Sequence, residues 1–156
     1  MKLRILCMGK THEKFIKDGI EKYLRYIKPY ADVEFQELRE EKIQDLKDAP
    51  RVRQKEAAKI EKALPPGAFT IALDERGREF TSLEFAEFLN TAMETGTRDM
   101  AFVLGGAMGL DESVTKSARA VIALSRWTFT HEMARLVLLE QLYRSYTISK
   151  GRPYHY

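Results

Sequence analysis

Apolar positions along this chain switch repeatedly between short runs and helical spacing. Leu3 to Met8 is a short apolar run and predicts a buried strand. Over His12 to Lys28, Ile16, Ile20, Leu24 and Ile27 recur at helical spacing with Lys17, Glu21 and Arg25 between them, and Pro29 ends the stretch. Val33 and Phe35 alternate with charged neighbours and predict a second strand. After Pro50 a thin stripe of Val52, Ile60 and Leu64 predicts a charged helix, broken by Pro65-Pro66-Gly67. The alternation then continues. A strand is expected over Phe69 to Leu73. Thr81 and Glu84, at capping-box spacing, open a helix carrying Leu83, Ala86, Leu89 and Met93, and Gly96 closes it. Met100 to Leu104 predicts a fourth strand, Asp111 caps a short helix over 112–119, and Val121 to Leu124 predicts a fifth strand. A long helix runs from His131 to Ser149, stopped by Gly151 and Pro153. Strands alternating with helices predict one α/β domain over 1–156 with a mostly parallel sheet flanked by helices.

Composition narrows the picture modestly. Hydrophobic residues make up 44% of the 156, which argues against disorder. Lys and Arg number 26 against 23 Asp and Glu, and the net charge of +3 permits a phosphate-bearing partner without demanding one. The charge-rich stretch 39–62 reads as a solvated face. Cys7 is the sole cysteine, so no intrachain disulfide forms, which fits a reducing compartment. His12, His131 and His155 lack metal-ligand spacing, so no metal is expected. The N-terminal apolar run is too short for a signal peptide, and no stretch approaches the roughly 20 apolar residues of a membrane helix. A cytoplasmic protein without a membrane partner is expected.

Two familiar nucleotide motifs fail. Gly9-Lys10-Thr11 follows a strand, but a P-loop needs a glycine five positions before Gly9, and Arg4 stands there inside the strand. Gly105, Gly106 and Gly109 do not have Rossmann spacing and follow the fourth strand, not the first. Such a cluster is by itself a common turn, although its glycines let backbone approach a ligand. Open α/β sheets bind ligands beyond the carboxyl ends of their strands. The loops to inspect are therefore Leu73 to Gly77, Gly105 to Gly109 and Leu124 to Thr130. A second candidate surface is C-terminal, where Arg135, Arg144, Lys150 and Arg152 interleave with Tyr143, Tyr146, Tyr154 and Tyr156. Cations suit phosphate and tyrosine rings stack on bases, so the mixture suits RNA. Tyr143 and Tyr146, on a periodic helix, equally read as packed residues. His155 titrates near neutral pH, though an isolated histidine is more often incidental than catalytic.

Taken in order, several segments carry a resemblance. Phe102-Val103-Leu104-Gly105-Gly106-Ala107-Met108-Gly109-Leu110-Asp111 resembles the glycine loop of the ribosomal large-subunit pseudouridine N3-methyltransferase family. Ala123 to His131, Leu139-Glu140-Gln141-Leu142-Tyr143-Arg144 and the ending Gly151-Arg152-Pro153-Tyr154-His155-Tyr156 resemble its other signatures, as do Lys2 to Ile5 and Leu73 to Gly77. The resemblance spans the whole chain. It implies a SPOUT-type sheet with a C-terminal trefoil knot, a topology that general chain rules disfavour outside a few folds. It implies a homodimer whose active sites use both subunits. The implied substrate is one pseudouridine of 23S rRNA in the assembled 70S ribosome, with S-adenosylmethionine as donor and no metal. The implied donor contacts are Leu73, Gly105, Leu124, Ser125, Arg126, Trp127, Thr128 and Phe129. His155, Arg144 and Tyr154 are the expected catalytic residues, and Arg135 and Arg152 the expected RNA contacts. The competing expectations are a non-catalytic ribosome-binding factor with the same fold and an enzyme that binds nucleotide phosphate on the Gly105 loop.

Overall fold

The computed structural model describes residues 2–152. His155 and Tyr154 lie outside them. The elements follow as β1 (Lys2–Met8), α1 (Lys14–Ile27), β2 (Asp32–Leu38), a 3-10 turn (Leu46–Asp48), α2 (Ala49–Ala63), β3 (Phe69–Glu79), α3 (Ser82–Glu94), β4 (Asp99–Leu104), α4 (Glu112–Ser117), β5 (Ala120–Ala123) and α5 (His131–Ser149). The five strands form one sheet in the order β2-β1-β4-β3-β5, and every pairing is parallel.

The sheet is sandwiched because its central strands are apolar on both faces. On β4, Met100, Phe102 and Leu104 face one core while Val103, between them in sequence, faces another. The first core is closed by α1, α3 and α5 through Ile16, Ile20, Leu89, Leu138 and Leu142. The second is closed by α2 and α4 through Ala57, Ile60 and Val114, against Met8, Ala72 and Val103. Full burial of each such Leu or Ile contributes about 2 kcal/mol, so these stripes hold the helices to the sheet.

Three features depart from the sequence expectation. The third strand continues past Leu73 to Glu79, where a loop was expected, and its pairing with β5 shifts register between Leu73 and Arg78. Gly77 makes this possible: a Cβ there would lie 2.5 Å from the main-chain carbon of Ile122. On α3 the expected stripe is rotated. Phe85, Ala86, Leu89 and Ala92 are buried, whereas Leu83 is exposed. The capping box of Thr81 and Glu84 is present as expected.

The third departure concerns Arg135, expected to meet RNA. It is the largest fully buried side chain, at 0% exposure. Its Nη2 donates to the Met8 carbonyl at 2.6 Å, and its Nη1 donates to Thr11 Oγ1 at 2.7 Å and lies 3.3 Å from Glu37 Oε1. A guanidinium finds so many partners only because α5 crosses over the end of β1, a contact between segments more than 120 residues apart. The charge therefore serves the fold and is withdrawn from the list of RNA contacts. One turn earlier, Glu132 accepts the main-chain N–H groups of His12 and Glu13, each at 3.0 Å. Glu13, the N-cap of α1, makes no capping bond with its own side chain. Glu132 supplies that cap from another helix. No helix among the described residues is long and apolar enough to cross a membrane.

Candidate functional site: a cleft at the strand ends

The carboxyl ends of β4 and β5, and the irregular middle of β3 where its register shifts, open onto a cleft of about 1070 Å³. Three stretches wall it: Leu73 to Arg76 from β3, the turn Gly105 to Gly109 after β4, and the loop from Leu124 to Thr130 that enters α5. These are the three stretches singled out from strand ends alone.

The glycine turn is tight. Gly109 donates its N–H to the Gly106 carbonyl at 3.0 Å and takes φ +75°, a left-handed conformation open chiefly to glycine. Gly105 faces the closing side of the turn. A Cβ there would stand 2.7 Å from the Gly109 carbonyl carbon and 2.9 Å from its oxygen. No larger residue fits at Gly105 without moving main chain. The same turn shows Leu104 and Leu110 to the second wall, both nearly buried. Asp111 then caps α4, accepting from the Ser113 hydroxyl at 2.7 Å and the Ser113 N–H at 3.0 Å, and these bonds hold its carboxyl below its ordinary value.

The β3 wall carries charge that is already committed. Arg76 grips Asp74 through Nε at 2.8 Å and Nη2 at 3.0 Å, and this fork holds the Asp74 carboxyl below the usual carboxylate range. On the third wall, Ser125 Oγ accepts the Trp127 N–H at 3.0 Å, which folds the loop back on itself. Thr130 caps α5 by accepting from Met133 N–H, so His131, its first residue, lies at the cleft. Trp127 is 81% exposed, a large apolar surface standing uncovered at the rim.

Of the eight expected donor contacts, Leu73, Gly105, Leu124, Ser125, Trp127, Thr128 and Phe129 line this cleft. Arg126 does not; its Nε turns to Glu79 Oε1 at 3.4 Å. Arg144 lies far along α5, where it pairs with Glu140 at 2.6 Å. Thirteen residues separate it from His131, about 20 Å at helical rise. Arg152 donates to the Tyr30 hydroxyl at 2.9 Å, beside a ring cluster of Tyr23, Tyr26, Tyr143 and Tyr146. Tyr146 is buried, so for it the packed reading holds. Among the described residues no group of His, Cys, Asp and Glu could hold a metal ion. Asp74 and Arg76 fall in the Leu73 to Gly77 stretch singled out above; Arg53 and His131 also line the cleft and were not assigned to it. Arg53 sits in the charge-rich stretch dismissed as solvated, and only its Val52 neighbour, a buried anchor, hinted at an inward-turned helix face.

A five-stranded parallel sheet with a glycine-walled cleft at the ends of its strands is the arrangement of an α/β protein with a ligand cleft beyond the sheet. The family model described as "Predicted SPOUT methyltransferase" matches residues 1–155, and the chain belongs to the SPOUT methyltransferase family. It is 44% identical over 156 residues to "Ribosomal RNA large subunit methyltransferase H" of Geobacter metallireducens, covering 100% of this chain and 99% of that one. The protein of the same name from Geobacter sulfurreducens is 43% identical, with both chains covered in full. Among solved structures, a probable methylase family protein from Haemophilus influenzae superposes with a TM-score of 0.60 at 13% identity, over 99% of this chain and 70% of that one. A probable methyltransferase from Bordetella pertussis gives 0.56 at 16% identity, over 92% and 95%. These two likenesses show the fold.

Proposed function

We propose that this chain methylates N3 of a pseudouridine in 23S rRNA of the assembled ribosome, using S-adenosylmethionine, as a homodimer. One observation carries the reading: three stretches far apart in sequence, each implied to touch the donor, wall one cleft. Full-length relatives named as large-subunit rRNA methyltransferases support the substrate class.

The residues present fit such a donor. At Gly105 a Cβ would collide with Gly109, so only glycine lets the turn close and keep the shape with which it walls the cleft. Leu124, Ser125, Thr128 and Phe129 border the space an adenine would take, and the exposed Trp127 offers a ring face beside them. When bound, the donor supplies a methyl group already activated on a sulfonium, so neither a metal nor a covalent enzyme intermediate is required. The chain's own task is to bind, to exclude water and to handle the N3 proton. His155 accepts that proton, Tyr154 stacks on the base, and Arg144 holds negative charge.

The position of Arg144 supports a shared active site. At about 20 Å along α5 from the cleft of its own chain, it reaches a reacting base only from a second subunit. The knotted path implied by family membership belongs to the same proposal, as does the treatment of the whole chain as one catalytic unit. Arg152 remains the proposed RNA contact.

Tritiated methyl transfer tests the reading. Incorporation is expected with 70S ribosomes and not with ribosomes lacking pseudouridine. Absence of transfer to the first, with donor binding intact, would favour a ribosome-binding factor instead.

A further inference from the structure

Arg53 is the one cleft-lining guanidinium whose charge is unspent among the described residues. It stands on α2, next to Val52, which is 3% exposed and anchors the helix. Its own side chain is half-buried, beside the Gly106 to Asp111 wall of the cleft. The other guanidinium on the walls, Arg76, is forked onto Asp74. Arg126 pairs with Glu79 outside the cleft. Lys116, on the neighbouring α4, pairs with Glu112 at 3.1 Å. Arg53 makes no hydrogen bond or ion pair among the described residues; its charge is felt only at a distance by Asp111. A partly buried guanidinium at a cleft wall, with no protein anion in contact, is free to take a ligand anion.

We propose that Arg53 receives the carboxylate of the donor's amino-acid tail. The inference rests on the methyl-transfer reading above. With the adenosine end against Leu124 to Phe129, the tail must leave past the glycine turn, and Arg53 borders that turn. Two carboxylates that line the same cleft, Asp74 and Asp111, are held in the charged form by Arg76 and Ser113 respectively. They repel a carboxylate and suit the tail's ammonium. Arg53 alone offers the fork geometry that carboxylates prefer.

Calorimetry with two ligands isolates the contact. S-adenosylmethionine carries the carboxylate; decarboxylated S-adenosylmethionine keeps the sulfonium and the ammonium and lacks it. The native protein should prefer the first by about tenfold, the low end for a charge-assisted bond at a half-exposed site. In Arg53→Gln the preference should vanish, with the decarboxylated ligand bound as in the native protein. Arg53→Lys should keep part of it. An unchanged urea midpoint would certify that the variants fold. If Arg53→Gln retains the tenfold preference, or weakens both ligands alike, the assignment is overturned. It is equally overturned if donor binding is untouched and the variant instead flattens the salt dependence of ribosome binding, which would give the cation to an RNA phosphate. If the native protein binds neither ligand, the methyl-transfer reading falls first and this one with it.

Discussion

Arg135 Nη2 donates to the Met8 carbonyl at 2.6 Å, so the C-terminal helix is bolted to the end of the first strand by a side chain with no exposed surface. Truncating it leaves that carbonyl and Thr11 short of a donor and opens a void. Arg135→Ala should lose about 3 kcal/mol of stability, read as a lower urea midpoint. The salt slope of RNA binding by the folded fraction should not change. A variant as stable as the native chain with a shallower slope would return Arg135 to the surface.

Gly105→Ala tests the turn. The added methyl meets main chain of Gly109 at 2.7 Å, so the turn must open. The stability cost should be about 1–3 kcal/mol, and donor affinity should fall at least tenfold by calorimetry, since the wall itself moves. Unaltered affinity would place the donor elsewhere.

Glu132 links the fold to acid stability. Burial pushes its carboxyl up, but the N–H groups of Glu13 and His12, with the nearby charges of His131 and Arg135, outweigh this and hold it below its ordinary value of 4.5. A group depressed in the folded state contributes stability above its unfolded pKa and loses it as pH falls through the folded value. The native protein should therefore lose more stability than Glu132→Gln as pH drops through and below 4.5. Parallel acid limbs for the two in urea titrations would contradict this.

Cys7 points into the first core, and burial pushes its thiol up to about 12, with Arg135 opposing and Glu37 adding to the shift. Only the thiolate reacts with alkylating agents. Iodoacetamide at mildly alkaline pH should leave the native protein unmodified and label it fully in denaturing urea. The raised value also means that this contribution to stability is whole below the unfolded thiol pKa and is lost as pH climbs towards about 12. Rapid labelling of the folded chain would show that the first core admits reagent.

Trp127 is the only tryptophan, and it stands 81% exposed at the cleft rim. Fluorescence excited beyond tyrosine absorption therefore reports this loop alone. Emission should resemble indole in water in the free protein, and saturating S-adenosylmethionine should shift it and shield it from acrylamide. Quenching unaffected by the donor would leave Trp127 outside the binding loop.

Periodicity located nearly every element, because burial of one face or two imposes its own spacing on a helix or strand. The long helix from His131 to Ser149 and the strand ending at Met8 stand where the apolar pattern put them. The three strand-end stretches were legible for the same reason: a parallel sheet has only one carboxyl edge, and ligands gather there. Side-chain fate was not legible. Leu83 carries an apolar side chain into solvent while Phe85 fills the core, since the roll of α3 is set by what α5 presents to it.

Local pattern thus determined the alternating α/β plan, the caps at Thr81 and Asp111, and which stretches wall the cleft. Only the folded chain decided what its charges do. Arg135 became an interior bolt, Arg126 an outward pair with Glu79, and Arg53 an unspent cation at a cleft. The reason is physical. Hydrophobic spacing acts between near neighbours, whereas the energy of a charge depends on its solvent exposure and on partners up to 127 residues away.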